Sequence, residues 1–250
     1  MKIGFVGAGN MAAAMARGWS RSGDGPEMLF CDLDAERAAR LAREVGGDTR
    51  ADLASLAADS DALLLAVKPA GLDGVARELD GTGPPILSVM AATPLARLNE
   101  AFPGVPALRV MPNQPAEVGR GVIVHAPAQE GAEALVELLP ALGNVIEMPE
   151  GTMDAAMAVM SCSPAYVALF AEALSEAGAR DGLEPALSLE LVAGTLEGTA
   201  ELLRERDPEE IRNAVAPPGG ATEAGLDALR QGGFPEAIAS AVEASLARFR

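Results

Sequence analysis

Residues 7–12 read Gly-Ala-Gly-Asn-Met-Ala, directly after an apolar run at residues 3–6 and at the start of a helical pattern. Each small residue has a task in a phosphate-binding turn. Gly7 permits the tight turn, Gly9 lets backbone approach a pyrophosphate, and Ala12 lets helix and strand pack closely. With Ala8, Asn10 and Met11 the turn offers N–H groups at a helix N-terminus, where the dipole also favours an anion. Asp32 follows twenty residues past Ala12, at the end of a second strand-like run. A carboxylate there accepts hydrogen bonds from a ribose 2′-hydroxyl and repels a 2′-phosphate. Leu33 and Asp34 come next and Arg37 is the first cation, so the pattern carries NADH or NADPH and leans to NADH. Arg37 and Arg40 stand within reach of a phosphate. The plain alternative is a glycine turn with no ligand.

Ala66-Val67-Lys68-Pro69 ends an unbroken apolar strand pattern at residues 62–67. Open α/β sheets bind ligands at the carboxyl ends of their strands, which places these four residues at the cofactor cleft. Lys2 and Lys68 are the only lysines among nineteen basic residues. Lys68 is therefore read as lining the cleft, against the alternative of a surface lysine. Met111-Pro112-Asn113-Gln114-Pro115 leaves a later strand in the same way. Its two prolines stiffen a loop that puts Asn113 near the cofactor, or else make an ordinary rigid turn.

The elements that must hold these residues alternate. Strand patterns at 3–6, 27–31, 62–67, 86–90, 107–111, 122–125 and 145–148 are interleaved with helical patterns at 11–21, 35–45 and 130–142. That alternation predicts an α/β domain with a doubly wound, mostly parallel sheet over residues 1–150. Residues 151–250 contain no strand pattern. Helices are expected at 153–179, divided by Pro164, and at 183–206, 208–215, 222–231 and 235–248. Their long apolar stretches exceed what such a segment buries alone, which points to pairing with a second copy.

Composition narrows the function classes. The 250-residue chain carries a net charge of -17, which excludes a basic nucleic-acid footprint. Cys31 and Cys162 lie too far apart in sequence to form a disulfide framework or, by themselves, a metal site, and no metal is expected. The only histidine, His125, sits in an apolar strand pattern and is read as structural. Met1-Lys2 leads straight into the first strand, and no apolar run is expected to cross a bilayer, so the chain is read as cytoplasmic with no membrane partner.

These blocks together resemble the pyrroline-5-carboxylate reductase family. The resemblance runs from IGFVGAGNMA through LLLAVKP, RVMPNQPAEVGRGV and SPAYVALFAEALSEAG to PPGGATEAGLDALRQGGFPEAI. It implies a Rossmann domain followed by an all-α dimerisation domain, an intertwined homodimer, and in many members a larger ring. It also implies hydride transfer from a reduced nicotinamide to the C=N carbon of a cyclic imine carboxylate, with no histidine acid. The substrate residues implied are Gly219, Gly220 and Thr222. Pro-Gly-Gly before a helix makes an anion nest for the substrate carboxylate, and the Thr222 hydroxyl shares a hydrogen bond with the imine nitrogen. The residues alone also allow Thr222 to be a helix cap, with Glu223 and Asp227 in the early turns.

The chain departs from the family pattern at several points. Gly-Ser-Gly-Pro-Ala-Tyr reads Ser161-Cys162-Ser163-Pro164-Ala165-Tyr166, and the serine of Ser-Pro-Gly-Gly is Pro217, with neither hydroxyl nor N–H. A common asparagine is Leu53, and the usual Ala-Gly before the next helix reads Ala92-Thr93. Two alternatives follow, a paralogue that reduces another cyclic imine acid and a non-catalytic nucleotide-binding dimer.

Overall fold

A computed structural model describes residues 1–249. Strand β1 (Lys2–Val6) leads into helix α1 (Asn10–Ser22), β2 (Glu27–Cys31) into α2 (Ala35–Val45), and the short β3 (Asp48–Thr49) into α3 (Leu53–Ala58). Then follow β4 (Ala62–Leu65), α4 (Leu72–Glu78), β5 (Ile86–Ser88), α5 (Leu95–Ala101), β6 (Ala107–Met111), β7 (Gly121–His125) and β8 (Gly143–Glu147). The strands form one sheet in the order β3-β2-β1-β4-β5-β6-β7-β8. All pairs are parallel except β6 with β7. Strand order reverses beside β1, which lies between β2 and β4, and this is where such sheets open a crevice.

Alternation along the central strands builds a core on each face. Phe5 pairs across the sheet with Phe30 and Leu64, and all three join Trp19 on one face. Val6, Leu63 and Leu65 point the other way, onto Leu56, Leu72 and Phe102. β4 is buried along its whole length, as a strand covered on both faces requires. Trp19 is fully buried and donates its indole N–H to the Leu138 carbonyl at 2.8 Å.

The helical pattern at 130–142 resolves as 3-10 turns over Glu133–Leu142. Pro140 lies inside it and cannot donate to an α-helical ladder, while Leu135, Leu139 and Leu142 still reach the core.

The remaining helices are α6 (Met153–Met160), α7 (Ser163–Arg180), α8 (Pro185–Leu202), α9 (Pro208–Val215), α10 (Ala221–Gln231) and α11 (Phe234–Phe249). The break expected at Pro164 falls at Ser161-Cys162, because proline is tolerated in a first helical turn and Pro164 sits in that of α7. One compact unit comprises Met1–Pro164 with the chain end from Leu246, the other Ala165–Ser245.

Within the second unit the Tyr166 hydroxyl meets Ser245 Oγ at 2.6 Å, and Ser188 Oγ donates to the Ser175 carbonyl at 2.8 Å. Among its described helices only Ser188 and Val192 are buried. Leu169, Leu174, Leu189, Leu191 and Phe234 stand exposed, the apolar surface that the sequence assigned to pairing.

One sequence expectation needs correction. The stretch Glu150–Arg180 contains an 18-residue window of mean hydropathy 1.5 and is long and apolar enough by composition to cross a membrane. It passes that test because the Ala-, Met- and Val-rich α6 and α7 follow one another with only a two-residue break. α6 spends its share of those side chains inside the first unit, where Met153, Met157, Ala158 and Met160 are buried.

Candidate active site

The glycine turn is forced by its surroundings. Gly7 adopts φ +99°, and a Cβ there would lie 3.0 Å from the Ala66 carbonyl oxygen. Its N–H donates to the Cys31 carbonyl at 2.8 Å, so one residue ties the exits of β1, β2 and β4 together. Gly9 is different. It caps α1 in an extended conformation, and a Cβ on it would meet nothing within 4 Å. The chain itself has no need of glycine there, whereas a ligand lying on the turn does. α1 begins without a side-chain cap, which leaves its first-turn N–H groups for such a ligand. Ala8 and Ala12 are buried, Asn10 is exposed and Met11 half-buried.

Asp32 lies at this turn. Its Oδ2 accepts the Ala8 N–H at 2.6 Å and its Oδ1 accepts the Asp34 N–H at 2.8 Å. The carboxylate therefore braces the turn. Burial first, then Glu78, Asp52 and Asp32, push the neighbouring Cys31 thiol above its usual range, so it stays protonated at neutral pH. Leu33 is fully exposed. A cavity of about 580 Å³ opens here, lined by Ala8, Gly9, Asn10, Arg37, Arg40 and Gln114 among others. Arg37 approaches Asp34 at 3.5 Å.

Ala66 and Val67 are half-buried against Gly7, and Lys68 is exposed immediately before the 3-10 turn that Pro69 opens. Gln114, which the sequence pattern did not single out, lines the cavity. Its neighbour Asn113 is only 6% exposed, and its carboxamide is used at both ends. Nδ2 donates to the Met160 carbonyl at 3.0 Å and Oδ1 accepts the Val122 N–H at 2.9 Å. This side chain is a brace between backbone segments. His125 is likewise buried, with Nδ1 at 2.8 Å from the Ala126 carbonyl.

In the helical unit, Gly219 adopts φ +78° and Gly220 is the N-cap of α10. Thr222 is thus the second helical residue and not the cap, which separates its hydroxyl from the capping role. Glu223 fills a capping role instead, its Oε2 accepting the Gly219 N–H at 2.6 Å. Gly220 N–H donates to the Pro217 carbonyl at 3.0 Å. The turn preceding α7 belongs to the first unit: Ser161 Oγ donates to the Pro112 carbonyl and Ser163 Oγ to that of Met160, both at 3.4 Å. Among the described residues, no group of three His, Cys, Asp or Glu side chains is arranged to hold a metal ion.

Residues 150–250 match the family model described as pyrroline-5-carboxylate reductase dimerisation. Residues 2–92 match that of NADP oxidoreductase, coenzyme F420-dependent. A pyrroline-5-carboxylate reductase of Synechocystis is 37% identical over 99% of this chain and 97% of its own. The 1-pyrroline-5-carboxylate reductase of Streptococcus pyogenes superposes with a TM-score of 0.90 at 29% identity, covering 100% of this chain and 98% of its own. The Plasmodium falciparum pyrroline carboxylate reductase, solved with NADP bound, gives 0.86 at 26% identity over 100% and 97%. On this identity and coverage, the chain belongs to the pyrroline-5-carboxylate reductase family.

Proposed function

We propose that this protein reduces 1-pyrroline-5-carboxylate to L-proline with a reduced nicotinamide dinucleotide, acting as a homodimer through its C-terminal helices. The observation that carries the reading is the uncapped start of α1 behind Gly9, open to a ligand and braced by Asp32. The same name recurs in relatives that are 37% and 34% identical over 99% of this chain.

Gly7 and Ala8, their N–H groups held by Cys31 and Asp32, shape the turn on which Gly9, Asn10 and Met11 receive the pyrophosphate, and Ala66, Val67, Lys68 and Pro69 form the wall of the crevice at the neighbouring strand. Asp32 orients the ribose hydroxyls. A carboxylate at this position favours NADH over NADPH, and Leu33 offers no cation to a 2′-phosphate, while Arg37 and Arg40 line the same cavity. When bound, the dinucleotide supplies a hydride to the imine carbon. Gly219 and Gly220, whose own N–H groups are held by Glu223 and Pro217, shape the turn from which the first N–H groups of α10, at Ala221 and Thr222, hold the substrate carboxylate, and the Thr222 hydroxyl shares a hydrogen bond with the ring nitrogen, which takes up a proton as it becomes an amine.

A second reading, reduction of another cyclic imine acid, is favoured by Pro217 and by the Glu223 carboxylate already on Gly219 N–H. Both weaken the anchoring of a substrate carboxylate. Steady-state loss of nicotinamide absorbance with five- and six-membered imine acids separates the two. The proposal expects the highest kcat/KM for pyrroline-5-carboxylate, and a higher value for a six-membered ring overturns it.

A further inference from the structure

We infer that Gln114 binds the dinucleotide by accepting a hydrogen bond from a hydroxyl of the nicotinamide-side ribose, and that Glu117 and Arg17 aim it. The cavity at the glycine turn runs from Arg37 and Arg40 on α2, past Ala8, Gly9 and Asn10, to Gln114 beyond β6. β2 and β6 lie on opposite sides of β1 in the sheet, so Asp32 and Gln114 leave strands that flank the turn. A dinucleotide crosses such a crevice with its pyrophosphate at the turn and a ribose to either side. Asp32 is assigned to the adenosine side, which leaves Gln114 to the nicotinamide side. This inference rests on the proposed dinucleotide site, and it involves residues of the first compact unit alone.

The segment that carries Gln114 is held tightly against α1. Gln114–Val118 forms a 3-10 turn in which Ala116 is fully buried. Gly18 of α1 lies so close that a Cβ on it would collide with the Ala116 carbonyl oxygen. Beside it, Arg17 reaches two neighbours at once. Its Nε and Nη2 donate to the two Glu44 carboxylate oxygens on α2, at 2.6 and 3.0 Å, and its Nη1 donates to Glu117 Oε1 at 3.1 Å. One guanidinium thus ties α1, α2 and the 3-10 turn together.

Glu117 in turn fixes the Gln114 carboxamide, whose Nε2 donates to Glu117 Oε2 at 2.8 Å. A carboxylate paired with arginine only accepts, so the amide nitrogen must face it and the amide oxygen is left over. That oxygen is an acceptor on the cavity wall. It suits a ribose hydroxyl, which can donate, and not a phosphate oxygen, which also accepts. Gln114 is itself exposed, so truncating it disturbs little packing.

The test titrates the full-length protein with NADH, ADP-ribose and ADP in the absence of any imine, ADP being measured by displacement of NADH. NADH and ADP-ribose carry the second ribose, whereas ADP stops at its diphosphate. Gln114→Ala is expected to weaken NADH and ADP-ribose about threefold to tenfold, the scale of one neutral hydrogen bond, and to leave ADP unchanged. Glu117→Ala should give the same selective loss, and combining it with Gln114→Ala should weaken NADH no further. A merely structural role for Glu117 would weaken ADP as well. Equal losses for all three ligands, or an unchanged NADH affinity in Gln114→Ala, overturn the assignment. A further loss in the double variant overturns the aiming role of Glu117. A parent protein that binds neither NADH nor ADP-ribose overturns the dinucleotide site itself, whereas normal binding by both the parent and Gln114→Ala overturns this inference alone.

Discussion

The Asp32 carboxylate accepts the Ala8 N–H at 2.6 Å, so the charge proposed to face the ribose also holds the glycine turn in shape. Cofactor choice and turn geometry are therefore coupled, and replacement by alanine disturbs both. Asp32→Asn separates them, since it retains an acceptor oxygen while removing the charge. It is expected to weaken NADH about tenfold, the scale of one charge-assisted hydrogen bond, and to weaken NADPH less. Fluorescence titration of both cofactors checks this, and equal losses would contradict the assignment of preference to Asp32.

Gly7 and Gly9 make opposite predictions despite their kinship in the motif. Gly7→Ala forces a side chain into φ +99° against the Ala66 carbonyl and should cost about 1–2 kcal/mol of stability or more. Gly9→Ala meets open space, so the melting temperature should hold or rise slightly while cofactor affinity drops about tenfold or more. Thermal melts paired with cofactor titration distinguish a turn that needs glycine from a turn whose ligand needs it.

Glu223 occupies the Gly219 N–H that the proposed carboxylate nest would otherwise offer to substrate. Removing its charge without its shape, by Glu223→Gln, should lower KM for pyrroline-5-carboxylate about tenfold. The same change should leave KM for 1-pyrroline, which has no carboxylate, unaffected. A rise in KM for the carboxylate substrate would show instead that the Glu223 bond builds the nest.

Ala92 carries a strained backbone, with φ +51° just beyond β5. A Cβ in the left-handed region costs about 1–2 kcal/mol, partly offset by the greater unfolded-state freedom of glycine. Ala92→Gly should therefore stabilise the first unit by about 0.5–1 kcal/mol in denaturant unfolding. Destabilisation would mean that the Ala92 side chain packs to an advantage exceeding its strain.

What was legible in the sequence followed from local rules. The run at 62–67 announced a strand buried on both faces, and β4 is one over Ala62–Leu65. Gly7 and Gly9, between a strand and a helix, announced the turn. Local rules did not reveal a side chain whose partner is distant in sequence. Asn113 looked like a loop residue turned to the cofactor because Met160, which accepts its hydrogen bond, lies 47 residues on. Arg109 carried no local signal for the same reason, its partners being Glu150 and Asp154. β3 has two residues, too few to show alternation, and Pro140 changed the kind of helix at Glu133–Leu142 without removing its apolar face. The strand patterns stop before Glu150, yet the compact unit runs on to Pro164, because α6 is bound to β6.

The central claim is hydride delivery to the imine carbon of pyrroline-5-carboxylate. Reduced cofactor carrying deuterium at the transferring position of nicotinamide C4 is incubated with the protein and the imine, and the product is read by mass spectrometry. The account predicts L-proline heavier by a single deuterium, held on the ring carbon that was doubly bonded to nitrogen, and a marked loss of that product with Thr222→Ala at unchanged cofactor affinity. Unlabelled proline, or no proline from a protein that binds the cofactor, would contradict it.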